Sequence, residues 1–118
     1  MIDGFEEQTH SLTSYEKNKL LPRVVEELSR NVGENNVVSS NQIISLLKSE
    51  GHKVSPPRFR KVINYIRVNR IIKRLMATSK GYYIEMDDNK YGKYLKSLES
   101  RIEAISAVYK AGYKDLTE

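Results

Sequence analysis

Between residues 55 and 86 the apolar period of this chain changes from 3.6 to two, and that change constrains its fold more than any other feature. Phe59, Val62, Ile63 and Ile66 recur at i, i+3, i+4 and i+7, the narrow stripe of a helix with one buried face. Ser55 is a good N-cap ahead of them, and Pro56 suits the first helical position, where its missing N–H has no partner to lose. The spacing predicts a helix to about Asn69. After Arg70, Lys73–Thr78 reads as a strand, Ser79-Lys80-Gly81 as a tight turn and Tyr82–Met86 as the returning strand. Gly81 can supply a positive φ there. Strand alternation predicts that Tyr82, Ile84 and Met86 face inward while Tyr83 and Glu85 face out.

Upstream, Thr13-Ser14-Tyr15-Glu16 fits a capping box, followed by the helical stripe Leu20, Leu21, Val24, Val25, Leu28 and Val32. Pro22 lies inside that stripe, so the helix either kinks there or starts afresh near Leu21. Gly33-Glu34-Asn35-Asn36 closes it, and Val37-Val38 is a short β-prone pair. Ser39 and Gln42 form a second capping box, ahead of a three-turn helix bearing Ile43, Ile44, Leu46 and Leu47, with Gly51 at its C′ position. Residues 1–12 are polar, show no period, and read as a flexible arm.

Downstream, Asp87-Asp88-Asn89 caps a long helix over roughly residues 89–111. Tyr91, Leu95, Leu98, Ile102, Ile105 and Tyr109 follow at spacings of 4, 3, 4, 3 and 4, a heptad-like seam. The seam has two readings: a dimerisation helix pairing with a second copy of the chain, or a helix folded back on its own domain. Gly112 is expected to end the helix. Gly92, in its first turn, has no local explanation.

Charge is distributed unevenly. Residues 1–50 hold five Lys/Arg against eight Asp/Glu, residues 51–84 hold nine against none, and residues 85–118 hold six against seven. The net charge of +5 therefore originates in one 34-residue segment. Soluble surfaces normally intersperse both signs, and an unbroken positive field attracts phosphate.

The elements run helix, β-prone pair, helix, turn, helix, strand, turn, strand, long helix. In that order, Arg58-Phe-Arg-Lys-Val-Ile-Asn-Tyr-Ile-Arg followed by Ala77-Thr-Ser-Lys-Gly-Tyr-Tyr-Ile resembles the winged helix-turn-helix DNA-binding domain, and is similar to small winged-helix proteins of phages and mobile elements. The resemblance covers residues 14–86. It implies a mainly α fold with a small β-hairpin: an arm over 1–12, a winged-helix domain over 13–86, and a long C-terminal helix over 87–118.

The resemblance also implies that the third helix enters the major groove of double-stranded DNA. Turning its apolar stripe inward leaves Lys61, Asn64 and Val68 pointing out, with Arg58 and Tyr65 on one flank and Arg60 and Arg67 on the other. Arg58 and Lys61, near the helix start, are the leading base-contact candidates, with Asn64 next; such contacts discriminate by roughly 1–3 kcal/mol each. Arg60, Arg67 and Lys53 are expected to meet phosphates. Lys80, at the hairpin tip, is placed for the minor groove or backbone. Tyr65 and Tyr83 either contact DNA or pack against neighbours.

The functional expectation is a non-enzymatic, cytoplasmic DNA-binding protein, a transcriptional or phage-type regulator. A winged-helix adaptor in a replication or phage complex is the alternative, since fold alone does not settle function. The chain has no cysteine, so disulfides, thiol catalysis and thiolate metal sites are excluded. His10 and His52 stand apart, in the arm and in a turn. No metal-ligand spacing or Gly-rich phosphate loop is present, and no cofactor is expected. The acidic start Met1–Glu7 does not read as a signal peptide. No apolar run approaches the roughly 18 residues of a membrane span.

Overall fold

In the computed structural model, residues 11–118 are described; residues 1–10 of the expected arm, with His10, lie outside the described residues. Among the described residues the chain is mainly helical, with four helices, a small two-stranded antiparallel sheet and a long last helix. It divides at Met86/Asp87 into two compact units.

The first unit opens on the expected capping box. Glu16 N donates to Thr13 Oγ1 (3.1 Å), and Thr13 N donates to Glu16 Oε1 (2.8 Å). A π-helical turn, Glu16–Leu20, leads without a break into α1, Leu21–Leu28. The Leu21 N–H reaches back to Glu16 O. This wider turn lies just ahead of Pro22, where a proline ring would otherwise crowd the preceding carbonyls, so the helix neither breaks nor restarts. Ser11 and Leu12 are not a loose arm: Leu12 packs against the core and the Ser11 carbonyl accepts a bond from Arg58.

α1 stops short of Val32, which is exposed and instead bridges Ile84. A 3-10 turn, Glu34–Asn36, follows Gly33, whose φ of 87° suits glycine. The β-prone Val38 then pairs with Tyr82 through Tyr82 N→Val38 O (2.8 Å) and Val38 N→Tyr82 O (3.1 Å).

α2 is Ser40–Ser49, with the Ser39/Gln42 capping box formed in both directions. Gly51 ends it in a left-handed conformation. Gly51 N donates to Lys48 O and His52 N to Leu47 O, a Schellman closure. α3, Pro56–Val68, starts at Ser55, whose side chain accepts from Arg58 N. It closes the same way at Arg70 (φ 54°), with Arg70 N on Arg67 O and Ile71 N on Ile66 O. The core gathers Leu20, Val24 and Leu28 from the first helical segment, Ile43 and Leu47 from α2, and Phe59, Val62 and Ile66 from α3.

The hairpin is β1, Leu75–Thr78, and β2, Gly81–Ile84, paired antiparallel with Ala77 opposite Tyr82. β1 begins two residues later than the alternation suggested, because Arg74 takes a left-handed φ of 65°. Its Nε donates to Glu85 O (2.6 Å).

The facing pattern expected for the second strand also changes. Ile84 is buried as predicted, but Tyr83 and Glu85 are buried too, and Met86 is exposed. Alternation assumes one open face, whereas Tyr83 lies beside Glu34 and Val37 and Glu85 lies against Arg74. Burial, with the charges of Glu85 and Glu34, raises the Tyr83 hydroxyl above its ordinary pKa.

The second unit is a single helix, α4, Asp88–Thr117, capped by the Asp87 side chain, which accepts from Lys90 N. It runs straight through Gly112, which therefore does not end it. None of its residues is buried. No helix of the described residues is long and apolar enough to cross a membrane.

Candidate nucleic-acid interface

Burying Phe59, Val62, Ile63 and Ile66 fixes the rotation of α3 about its axis. Arg60, Asn64 and Arg67, spaced i, i+4 and i+7, then fall in one row beside the hairpin. With Lys61 they rim a hollow of about 290 Å³ between helix and sheet. Its floor is Ile63, Ala77 and Tyr82. Ala77 and Tyr82 lie opposite one another across the strands, so both project from the same sheet face. Tyr82 is held edge-on to Phe59, with ring centroids 6.1 Å apart. Burial raises the Tyr82 hydroxyl above its ordinary pKa, and the charges of Arg60 and Arg67 pull it partly back. The phenol therefore stays protonated at neutral pH and can both donate and accept at the groove floor.

Two arginines outside this region are held by ion pairs. Arg23 forks onto Glu50 (2.9 and 2.8 Å) and also reaches Glu27, while Arg30 reaches Glu26. Hydrogen bonds from Arg23 hold the Glu50 carboxyl below the usual range and raise the pKa of Arg23. Among the described residues Lys53, Arg60, Lys61 and Lys80 take part in no ion pair. The cause lies in the sequence: no acid falls between Glu50 and Glu85.

Four of the residues singled out in the sequence, Arg60, Lys61, Asn64 and Arg67, come together at this groove. Arg58 does not join them. Its guanidinium is largely covered and forks onto Glu16, with Nε 2.7 Å from Oε2 and a second contact from Nη2 to Oε1. Nη2 also donates to the Ser11 carbonyl (2.9 Å). The bond from Arg58 holds the Glu16 carboxyl below the usual range, against the opposing effect of burial. Arg58 is thus a clamp between the start of α3 and the start of the first helix, and the base-contact expectation for it is corrected.

Tyr65 is half-buried against the core, with the Lys17 ammonium 6.0 Å from its ring centre, so packing is the better account of it. Tyr83 is buried, which removes it as a contact candidate. Lys53 is exposed on the turn between α2 and α3, and Lys80 is exposed at the hairpin tip beside Tyr83; neither lines the groove. His52 sits in that same turn, with Nδ1 2.5 Å from the Tyr15 hydroxyl. Tyr82, like Ile63, is a groove residue that sequence reasoning assigned only to the core; its pairing with Ala77 follows from a turn of two residues, Ser79-Lys80, where the sequence suggested three.

Among the described residues no group of three or more His, Cys, Asp or Glu is placed to hold a metal ion. No protein-family model, curated protein or solved structure matches this chain.

Proposed function

We propose that residues 13–86 form a winged helix-turn-helix that binds duplex DNA, with α2 and α3 as the helix-turn-helix and the β1–β2 hairpin as the wing. The observation that carries this reading is the row Arg60, Asn64, Arg67, with Lys61 beside it, on the open face of α3 in a segment free of acids. Lys61 and Asn64, a cation and an amide one turn apart, are suited to base edges. Arg60 and Arg67 flank them and are suited to phosphates, as are Lys53 and Lys80 at the two loops. A protein that works by occupying DNA needs no reacting group, and regulation of transcription, phage-encoded or cellular, is the role that fits.

The test is fluorescence anisotropy of a labelled random-sequence duplex about three helical turns long, titrated with the protein at several salt concentrations. Each neutralised phosphate adds about −0.9 to the slope of log affinity against log salt, so a slope of roughly −3 to −5 is expected. No binding even at low salt would overturn the reading and leave a protein partner for the basic segment.

A further inference from the structure

α4 carries an apolar seam with nothing buried on it: Leu95, Ile102, Ile105 and Tyr109 are 47%, 66%, 69% and 69% exposed. The helix also contains two glycines, each disfavouring a helix by roughly 1 kcal/mol relative to alanine. Among the described residues neither has a packing reason. Gly92 and Gly112 show no positive φ, and a Cβ at either would meet nothing within 4 Å. We infer that α4 pairs with α4 of a second copy of this chain as an antiparallel two-helix coil centred on the Ile102–Ile105 step. The inference stands apart from the DNA-binding reading.

Three features select this arrangement. In an antiparallel coil centred there, residue numbers facing each other across the core sum to a constant, so Ile102 of one copy packs on Ile105 of the other and the whole seam is covered. In that register Gly112 faces Leu95, and Gly92, one position outside the core, faces Tyr113. Each glycine makes room for a bulky side chain of the other copy. A parallel coil would instead stack Gly112 on Gly112, leaving a hole, and Tyr109 on Tyr109.

Charge points the same way. Residues 88–101 carry four cations and two acids, whereas residues 103–118 carry two cations and three acids. Antiparallel pairing sets the cation-rich half against the more acidic one, and parallel pairing sets it against itself. The opposed helix dipoles add to this preference.

The experiment uses the full chain. Because it has no cysteine, Lys90→Cys gives one spin label per copy. Light scattering should report a dimer, and dipolar spectroscopy should report a separation of about 40 Å, the rise along 27 helical residues. A second variant, Ile102→Asp with Ile105→Asp, should be monomeric while residues 11–86 keep their fold. A monomer in the Lys90→Cys protein would overturn the inference in favour of a helix folded on its own domain. So would a dimer whose labels lie within about 20 Å, the spacing of a parallel pair, and so would a dimer that survives the double aspartate variant.

Discussion

The two units of this chain show the same apolar periodicity with opposite outcomes. Among the described residues, every buried apolar residue of the core lies between Leu20 and Ile84, while α4 repeats apolar residues over thirty helical positions and buries none. Periodicity therefore predicts a helix equally well in both and says nothing about what covers its apolar side. In the first unit the cover comes from the same chain, since three helices and a hairpin close on one another. The second unit is one element, and one element cannot enclose its own face.

The contrast can be broken most forcefully at Phe59, which is fully buried. Phe59→Ala should lower the stability of the first unit by about 3–5 kcal/mol, enough to unfold a small domain. Ile105→Ala, a comparable truncation in α4, should leave the urea midpoint of the first unit unchanged. If the two substitutions had equal effects on that midpoint, the units would not be separate in energy.

The Glu16–Arg58 clamp sharpens the contrast in another way, because it holds the first unit together by charge. Arg58→Ala leaves Glu16 almost covered and unpaired, at a cost of about 2–3 kcal/mol for a pair that is not wholly enclosed. The pairing lowers the folded-state pKa of Glu16. Its contribution is thus complete above the ordinary glutamate pKa of about 4.3 and fades as pH falls below that value. Glu16→Gln should be less stable than the wild type at neutral pH and should lose less on acidification. Denaturation curves stepped down in pH check both. A variant whose acid limb matches the wild type would show that the clamp is energetically silent.

Gly81 tests the join between hairpin and helices, at a cost of about 2 kcal/mol. Its φ is 135°, and a Cβ there would lie 2.1 Å from the Val38 carbonyl oxygen, a backbone atom that cannot swing aside. Gly81→Ala should lower stability and remove the amide-exchange protection of Tyr82, whose N–H bonds to Val38. Unchanged protection would mean that the Val38 bridge does not hold the hairpin.

Helix starts were legible because capping is local: Thr13/Glu16, Ser39/Gln42 and Ser55 each name their own position. Gly51 announced the end of α2 for the same reason. The end of α3 was less marked, since Arg70 takes the left-handed turn that glycine usually takes, and only the exhaustion of the apolar stripe gave it away. Faces were harder than elements. Tyr83 and Glu85 follow a sound alternation, but segment 34–37 and Arg74 cover the side that alternation leaves open. The candidate interface divides likewise. The charge count pointed to α3, yet it could not tell Arg58 from Arg60, because the carboxylate that occupies Arg58 lies 42 residues away.

That last distinction supplies the prediction with the smallest effect on stability and the most direct bearing on function. Arg60 is exposed and in no ion pair, so Arg60→Ala with Lys61→Ala should change stability by less than about 0.5 kcal/mol each. If Arg60 neutralises a phosphate and Lys61 meets a base edge, the same double variant should reduce the slope of log affinity against log salt by about one unit. Arg58→Gln, by contrast, should act on the urea midpoint and leave the slope of the remaining folded protein alone. The two arginines stand two residues apart with identical chemistry, and only their neighbours distinguish them. A slope that responded to Arg58 and not to Arg60 would move the interface to the other flank of α3.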